Sequence, residues 1–392
     1  MLADAKDWTM RWKDRLAEYW HWGSLAKEQT GKSLLTQLRE IRALARLGGQ
    51  CGLTDYYWYK LYDDAYQEGR GAPDFVGWKL QAKFSLALNP RHAVLPAWDK
   101  AVFTVLADAA GLPVAPFAAC FHTGRRIADI LGRHLKTLDE ALAFLRDPAN
   151  YPLFGKPVYS QQGVGAAFLA GYDEATDSLL DLNGGSQPAL EFVQRLHKTV
   201  DSRYHKPECG YLFQRSLKLH PAMESLTHWS AICGVRVICL NGPQGAKPIR
   251  AVWKIAVRPN HVDNFSLGKY GNLLANVDLT TGQVSKVVRG FWPDTQVFDH
   301  HPDSGADMRG FSIPCWSAVL DTCAQGGAVF PMMRIQHWDF AITDQGPMLL
   351  ELNDIGGTEI AQVHGRGLLT EEVRDFLKRH ANSQAHRWVK AL

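Results

Sequence analysis

The segment from His337 to Asn353 (His-Trp-Asp-Phe-Ala-Ile-Thr-Asp-Gln-Gly-Pro-Met-Leu-Leu-Glu-Leu-Asn) holds the residues best suited to chemistry. Asp344, Gln345 and Gly346 suit a three-residue hairpin loop with Gly346 in the left-handed position. A loop centred on Gln345 sets Asp339 opposite Glu351 and His337 opposite Asn353. Strand side chains alternate, so these four share one face while Trp338, Phe340, Ile342, Met348, Leu350 and Leu352 share the other. Directly opposed Cβ atoms lie roughly 5 Å apart, where two carboxylates repel unless a cation neutralises them. Two carboxylates and an amide form an all-oxygen donor set suited to Mg²⁺, which completes its octahedron with water and substrate phosphates. The bland alternative is a hairpin whose polar face meets only water.

Cations that could answer a nucleotide lie elsewhere. Lys156 precedes a turn containing Gly163 and Gly165, whose backbone N–H groups can approach an anion closely. Lys100 falls in the first turn of a helix after Asp99, where its charge opposes the helix dipole unless an anion binds nearby. In Ile249–Arg258 strict alternation places Arg250, Lys254 and Arg258 on one face. Arg236 is a lone cation in an apolar strand and needs a carboxylate or a ligand phosphate. Set across a cleft from the acidic hairpin, these cations would form the arrangement that phosphoryl transfer requires.

The chain that must position them has 392 residues, 46% hydrophobic and 21% charged, with a formal net charge of +3. That balance gives no sign of nucleic acid or a membrane surface as partner, and no stretch approaches the ~18 apolar residues of a membrane span. The start of the sequence lacks the apolar core of a signal peptide, and seven dispersed cysteines suggest reduced thiols and a cytoplasmic protein. Residues 5–47 read as helices, with an aromatic segment from Tyr56 to Tyr66 that Thr54 or Asp55 could cap. From about residue 95 strands and helices alternate. Asp99 caps a helix to Ala110, strands fall at 151–159, 166–172, 210–217, 234–240, 249–258 and 273–279, and a last helix spans 371–390. Mixed elements with many hairpins indicate an α+β fold. The aromatic N-terminal helices suit core packing, or a surface for a second copy of the chain.

The order Asp99-Lys100, Lys156-Pro157 with its glycine turn, Arg236, and Asp339 with Glu351-x-Asn353 resembles the ATP-grasp superfamily. Within it the chain is most similar to the sugar-transfer-associated group, related to α-L-glutamate ligases. Gly52–Leu61, Phe213-Gln214, His220-Pro221, Val262–Gly268, Thr280–Gly282, Leu350–Gly357 and Gly365–Leu369 carry that likeness. It implies two α+β subdomains gripping ATP. The expected divisions are an N-terminal helical extension (1–94), a leading segment (95–150), subdomain one (151–217), subdomain two with the hairpin (218–370) and a C-terminal helix (371–392).

The resemblance also implies roles. Lys100, Lys156, Ser160, Gly163 and Gly165 would hold ATP phosphates, and Gln214, Ser216 and Leu217 would lie at the adenine hinge. Asp339, Glu351 and Asn353 would bind Mg²⁺, and Arg236, Lys254 and Arg258 would serve the transfer itself. Asn264 and Arg250 would sit near the second substrate. Three residues depart from the family pattern: Arg215 where glutamate is common, Gln161-Gln162 in the flexible turn, and Lys269 in place of a second glycine. The implied activity joins a small carboxylate to an amine or thiol through an acyl phosphate. A hydroxyl kinase and a non-catalytic nucleotide-binding module are the alternatives.

Overall fold

Apolar residues at helical spacing start the fold. Trp12–Thr30 and Leu34–Leu44 form two helices, the second begun by Ser33, whose hydroxyl accepts the Thr36 N–H. The computed structural model describes residues 12–69, 71–123, 129–160, 163–198, 210–390 and 392. Trp8 and the turn residues Gln161 and Gln162 lie outside them. The helix Leu53–Trp58 follows, and here the expected cap is displaced. Gly52 is the N-cap, while Asp55 reaches back to accept the Gly52 N–H at 2.8 Å.

Asp99 caps the helix Lys100–Ala109 as expected, accepting N–H groups from Ala101 and Val102. The strands β1 (Phe117–Phe121), β2 (Arg133–Leu135), β3 (Leu153–Pro157) and β4 (Ala167–Leu169) then belong to a five-stranded sheet. The short strands β5 (Gly171–Asp173), β6 (Ser178–Leu180) and β7 (Ser186–Pro188) make a separate antiparallel meander. β8 (Tyr211–Arg215) returns to complete the first sheet in the order β2-β1-β8-β3-β4. Ser216 N–H still donates to Pro152 O beside β3, and the chain then crosses to a seven-stranded sheet, where Leu219 bridges Thr343.

That larger sheet contains β9 (Val235–Gly242), β10 (Gly245–Ile255), β11 (Leu273–Val277), β12 (Val284–Arg289), β13 (Gln296–Val297), β14 (Ile335–Thr343) and β15 (Gly346–Asn353). Its order is β13-β12-β11-β10-β9-β14-β15, antiparallel throughout. Alternation decides what each face meets. Val235, Val237, Trp253, Ile255, Trp338 and Phe340 pack on one side with residues of the helices 100–109 and 316–329. On the other side Val252, Leu274 and Val288 lie under Tyr56, Tyr57, Tyr59 and Tyr62, and Ile238, Leu240 and Ile335 lie under Phe84, Leu377 and Trp388. Tyr56, Tyr57, Tyr59 and Tyr62 are therefore core, and of the aromatic residues of the first helix Tyr19 and Trp22 pack against them while Trp20 stays exposed.

Other expectations change. The last helix is broken, running Glu371–His380 and resuming at His386–Lys390, because Ala381 turns extended and Asn382 N–H donates to Ala87 O. β10 ends at Ile255, so the alternation does not carry Arg258 onto the face of Lys254. Among the described residues no cysteine is paired, and no helix is long and apolar enough to cross a membrane.

Candidate active site

The acidic hairpin forms with the predicted pairing but by a different route. Thr343 pairs with Gly346, so the loop is only Asp344-Gln345, one residue shorter than the expected three. A two-residue loop alone would set Asp339 opposite Leu350. A bulge between Asp339 and Phe340 on the pairing ladder restores the register, and Asp339 faces Glu351 while His337 faces Asn353. The bulge also changes the core face. Phe340 pairs with Leu349, which is 2% exposed and joins the core with Leu352, whereas Leu350 and Met348 are only half-buried.

Asp339 also lies directly opposite Arg236 on its other side, so Glu351, Asp339 and Arg236 run side by side across three strands. The Arg236 fork grips the carboxylate: Nε donates to Oδ1 at 2.6 Å and Nη2 to Oδ2 at 2.5 Å. Lys254 Nζ adds a third charged donor at 3.1 Å. Burial would raise the Asp339 pKa, but Arg236 and Lys254 hold it well below the usual carboxylate range. Burial likewise works against the Arg236 charge, and Asp339 overcomes it and raises the guanidinium pKa. Arg236 Nη1 donates to Gly356 O at 2.5 Å, which ties the loop after β15 to the row, and Nη2 lies 3.9 Å from Glu351 Oε1. Asp339 is 2% exposed, so this polar face does not simply meet water.

Two residues join the group that the motif reading did not assign. Asp263 Oδ1 lies 3.5 Å from Lys254 Nζ, and its Oδ2 accepts the Gly234 N–H at 2.6 Å. Burial raises its pKa against the pull of Lys254. His337 is buried with no partner for Nδ1, and burial together with Arg236 pushes its pKa down to about 3, so it stays neutral. The only sequence signal for Asp263 was its place in a stretch shared with the family; nothing local said that it would meet Lys254.

Lys100 and Lys156 are buried cations within the electrostatic reach of Glu351. Lys100 Nζ donates to Ser160 O at 2.7 Å and lies 3.4 Å from Ser160 Oγ. Burial lowers the Lys100 pKa, and Glu351 opposes the shift. Lys156 is 8% exposed; burial and then the charge of Lys100 push its pKa down to about 8, with Glu351 again opposing. Glu351 is the counter-charge these two buried cations share, and Asp99 adds to it at Lys100. Gly163 and Gly165 take φ of +72° and +77°, and a Cβ on Gly165 would meet Pro157 Cγ at 2.9 Å, so the turn requires glycine. A Cβ on Gly163 would meet Val262 at 3.3 Å, which brings the turn against the loop that carries Asp263 and Asn264.

The other expected site residues make contacts of their own. Arg250 is buried beside the 364–367 loop, with Nη2 donating to Gly367 O at 2.8 Å and Nε unpartnered. Burial and Arg366 push its pKa down to about 10. Arg258 lies over the Trp229 ring, 4.9 Å from its centre, and donates to His228 O. Asn264 Oδ1 accepts the Ser266 N–H and shapes its own loop. Gln214 is buried and turns its amide to Ala115 O at 2.7 Å, while Ser216 and Leu217 are half-buried where the chain leaves β8.

The family model of sugar-transfer associated ATP-grasp proteins matches residues 79–376. The chain belongs to that family. No curated protein matches the sequence. Among solved structures, the D-alanyl-alanine synthetase A of Vibrio cholerae is similar at 9% identity and TM-score 0.42, over 74% of this chain and 67% of that one. The VanG D-Ala:D-Ser ligase of Enterococcus faecalis is similar at 13% identity and TM-score 0.39, over 77% and 68%. An L-amino acid ligase of Bacillus licheniformis gives 10% and 0.33, over 68% and 46%.

For this ATP-grasp chain the donor chemistry of the hairpin fits a hard cation. Among the described residues no cluster of three or more His, Cys, Asp or Glu forms a metal site; the set here is two carboxylates and an amide. The Glu351 side chain is 35% exposed, and Asn353 Nδ2 donates to Glu351 Oε1 at 3.0 Å. A carboxylate offers about four lone pairs, and the charged donors on Asp339 use three, so one remains.

Proposed function

We propose that the chain is an Mg²⁺- and ATP-dependent ligase that joins a small carboxylate to an amine (or thiol) and releases ADP and phosphate. The observation that carries this reading is the Glu351–Asp339–Arg236 row laid across three strands, whose Glu351 is near enough to the buried Lys100 and Lys156 to favour their charge. Family membership supports it. Bound Mg²⁺-ATP would supply the phosphoryl group that activates the substrate carboxylate as an acyl phosphate.

The chain's own residues would position and neutralise. Lys100, Lys156 and the Ser160–Gly165 turn would hold phosphates, with adenine at the 214–217 crossing. Glu351 and Asn353 would hold Mg²⁺, with Asp339 contributing its remaining lone pair. Arg236 and Lys254 would steady negative charge on the transferred group while keeping Asp339 ionised. No side-chain nucleophile is needed.

Pairwise supply of candidate acids and amines, with ADP release as readout, tests the proposal. ADP should appear only when both are present, and Glu351→Gln should lower turnover by about a hundredfold or more. Full activity in that variant removes the metal role. A single hydroxylated substrate that leaves phosphorylated would make the protein a kinase, and ATP binding without turnover under every pair would make it a binding module.

A further inference from the structure

A cavity of about 560 Å³ is lined in part by Leu267, Gly268 and Lys269, from the loop that carries Asp263. Its walls come from two sources. Trp22 and Trp58 belong to the N-terminal helices, outside residues 79–376, while Phe291, Trp292, Lys269 and Arg289 belong to the family domain. The pocket therefore exists only because the extension packs on the sheet.

Its aromatic wall is preorganised. Trp22 meets Tyr57 and Trp292 edge-on at 5.7 and 6.4 Å, Tyr57 stacks on Trp292 at 5.5 Å, and Trp58 leans on Phe291 at 5.1 Å. Trp22 and Trp58 keep partial exposure, so flat apolar faces remain for a ligand. The lip is conformationally costly. Ser266 and Leu267 are consecutive non-glycine residues at φ of +41° and +58°, a strain of about 1–3 kcal/mol each that ordinary loops avoid. Gly268 packs so tightly on Gly290 that a Cβ would meet its Cα at 2.3 Å.

The rim is electrostatically incomplete. Among the described residues neither Lys269 nor Arg289 has a carboxylate within ion-pair distance, although Asp294 lines the same cavity. Arg289 bonds Gln296 through Nε and Nη2, and Lys269 lies 5.5 Å from the Tyr270 ring centre. Arg289 also lies 4.8 Å from the Phe298 ring centre. Aromatic rings and two cations without a carboxylate partner in one cavity call for a ligand that is apolar on one face and negative at one end.

We propose that this pocket binds a small ring-bearing anion, its ring against Trp22 and Trp58 and its carboxylate or phosphate at Lys269 and Arg289. A sugar acid and an aromatic acid share this chemistry. The site does not depend on the ligase reading, because binding is measured without turnover.

Isothermal titration of the full chain with glucuronate and with phenyl phosphate is the test. Glucose, phenol, acetate and inorganic phosphate serve as controls. At least one ring anion should bind, about tenfold or more tighter than its neutral ring and than the bare anion. Lys269→Glu, a change at an exposed side chain, and Trp58→Ala should each weaken it by about tenfold or more and leave ADP affinity unchanged. Binding of glucuronate alone identifies a glycosyl ligand and of phenyl phosphate alone an aryl one. The proposal falls if neither binds at millimolar concentration, if a bare anion or a neutral ring binds as tightly, or if Lys269→Glu has no effect.

Discussion

Lys156 is where a single side chain carries the most information. Its pKa of about 8 records an ammonium held in a dry site beside Lys100. A bound phosphate would favour the protonated form. Nucleotide affinity should therefore be full below about pH 8 and fall as the pH rises through that value, with proton uptake on binding above it. Titration of ADP across the range checks this, and Lys156→Ala should bind more weakly with a flatter profile. An equally steep profile in the variant would place the titration elsewhere. Glu359 is a second such residue. It is 2% exposed with Oε2 unpartnered, and burial pushes its pKa from 4.5 up to about 7. The fold holds a proton there that the unfolded chain releases between those values. Stability is thus lost as pH rises from 4.5 through 7 and stays low above. Glu359→Gln removes the ionisation and should raise stability at pH 8 by up to about 3 kcal/mol, with little change at pH 4. Urea denaturation at the two pH values measures it.

At the scale of elements, the loop that follows β15 owes its shape to the N-terminal extension. Gln362 Oε1 accepts the N–H groups of Val76 and Leu368, and Nε2 donates to Val76 O, all at 2.9–3.0 Å in a site 0% exposed. Tyr66 OH donates to Val363 O, and Glu68 N–H to Gly365 O. The same loop carries Gly356, whose carbonyl holds Arg236. Gln362→Ala should cost about 3 kcal/mol or more, because it strands three buried backbone groups. Chemical denaturation gives the loss, and a cost under 1 kcal/mol would mean the clasp forms poorly in solution. The hairpin teaches a related lesson. Counting residues from an assumed loop reached the correct Asp339–Glu351 pair, but only because a shorter turn and a bulge cancel. Leu349 rather than Leu350 enters the core as a result.

Across the whole molecule, the large sheet is covered on both faces and one cover lies outside the family's residues. Tyr56, Tyr57, Tyr59 and Tyr62 shield Val252, Leu274, Val288 and Phe291. A chain begun at residue 79 should expose that apolar face, bind a hydrophobic dye such as ANS and unfold at lower urea than the full chain. A truncated chain that stays as stable and dye-free as the parent would show that the cover is dispensable.

Much of this was open to reading in the sequence. Alternation placed Trp338 and Phe340 opposite Asp339, glycine marked the turn after Lys156, and Asp99 announced its helix, because these properties depend on neighbours along the chain. The ordered motifs were enough to indicate the family. What local pattern could not supply were contacts between distant residues. Arg236 and Asp339 are 103 residues apart, and Gln362 and Val76 are 286 apart. Whether Arg236 meets a carboxylate or a phosphate, whether Lys156 is dry enough to lose charge near neutrality, and whether Trp22 and Trp58 line a cavity depend on which surfaces close on one another. Burial and electrostatic field belong to that closure, so the tertiary structure alone decided them.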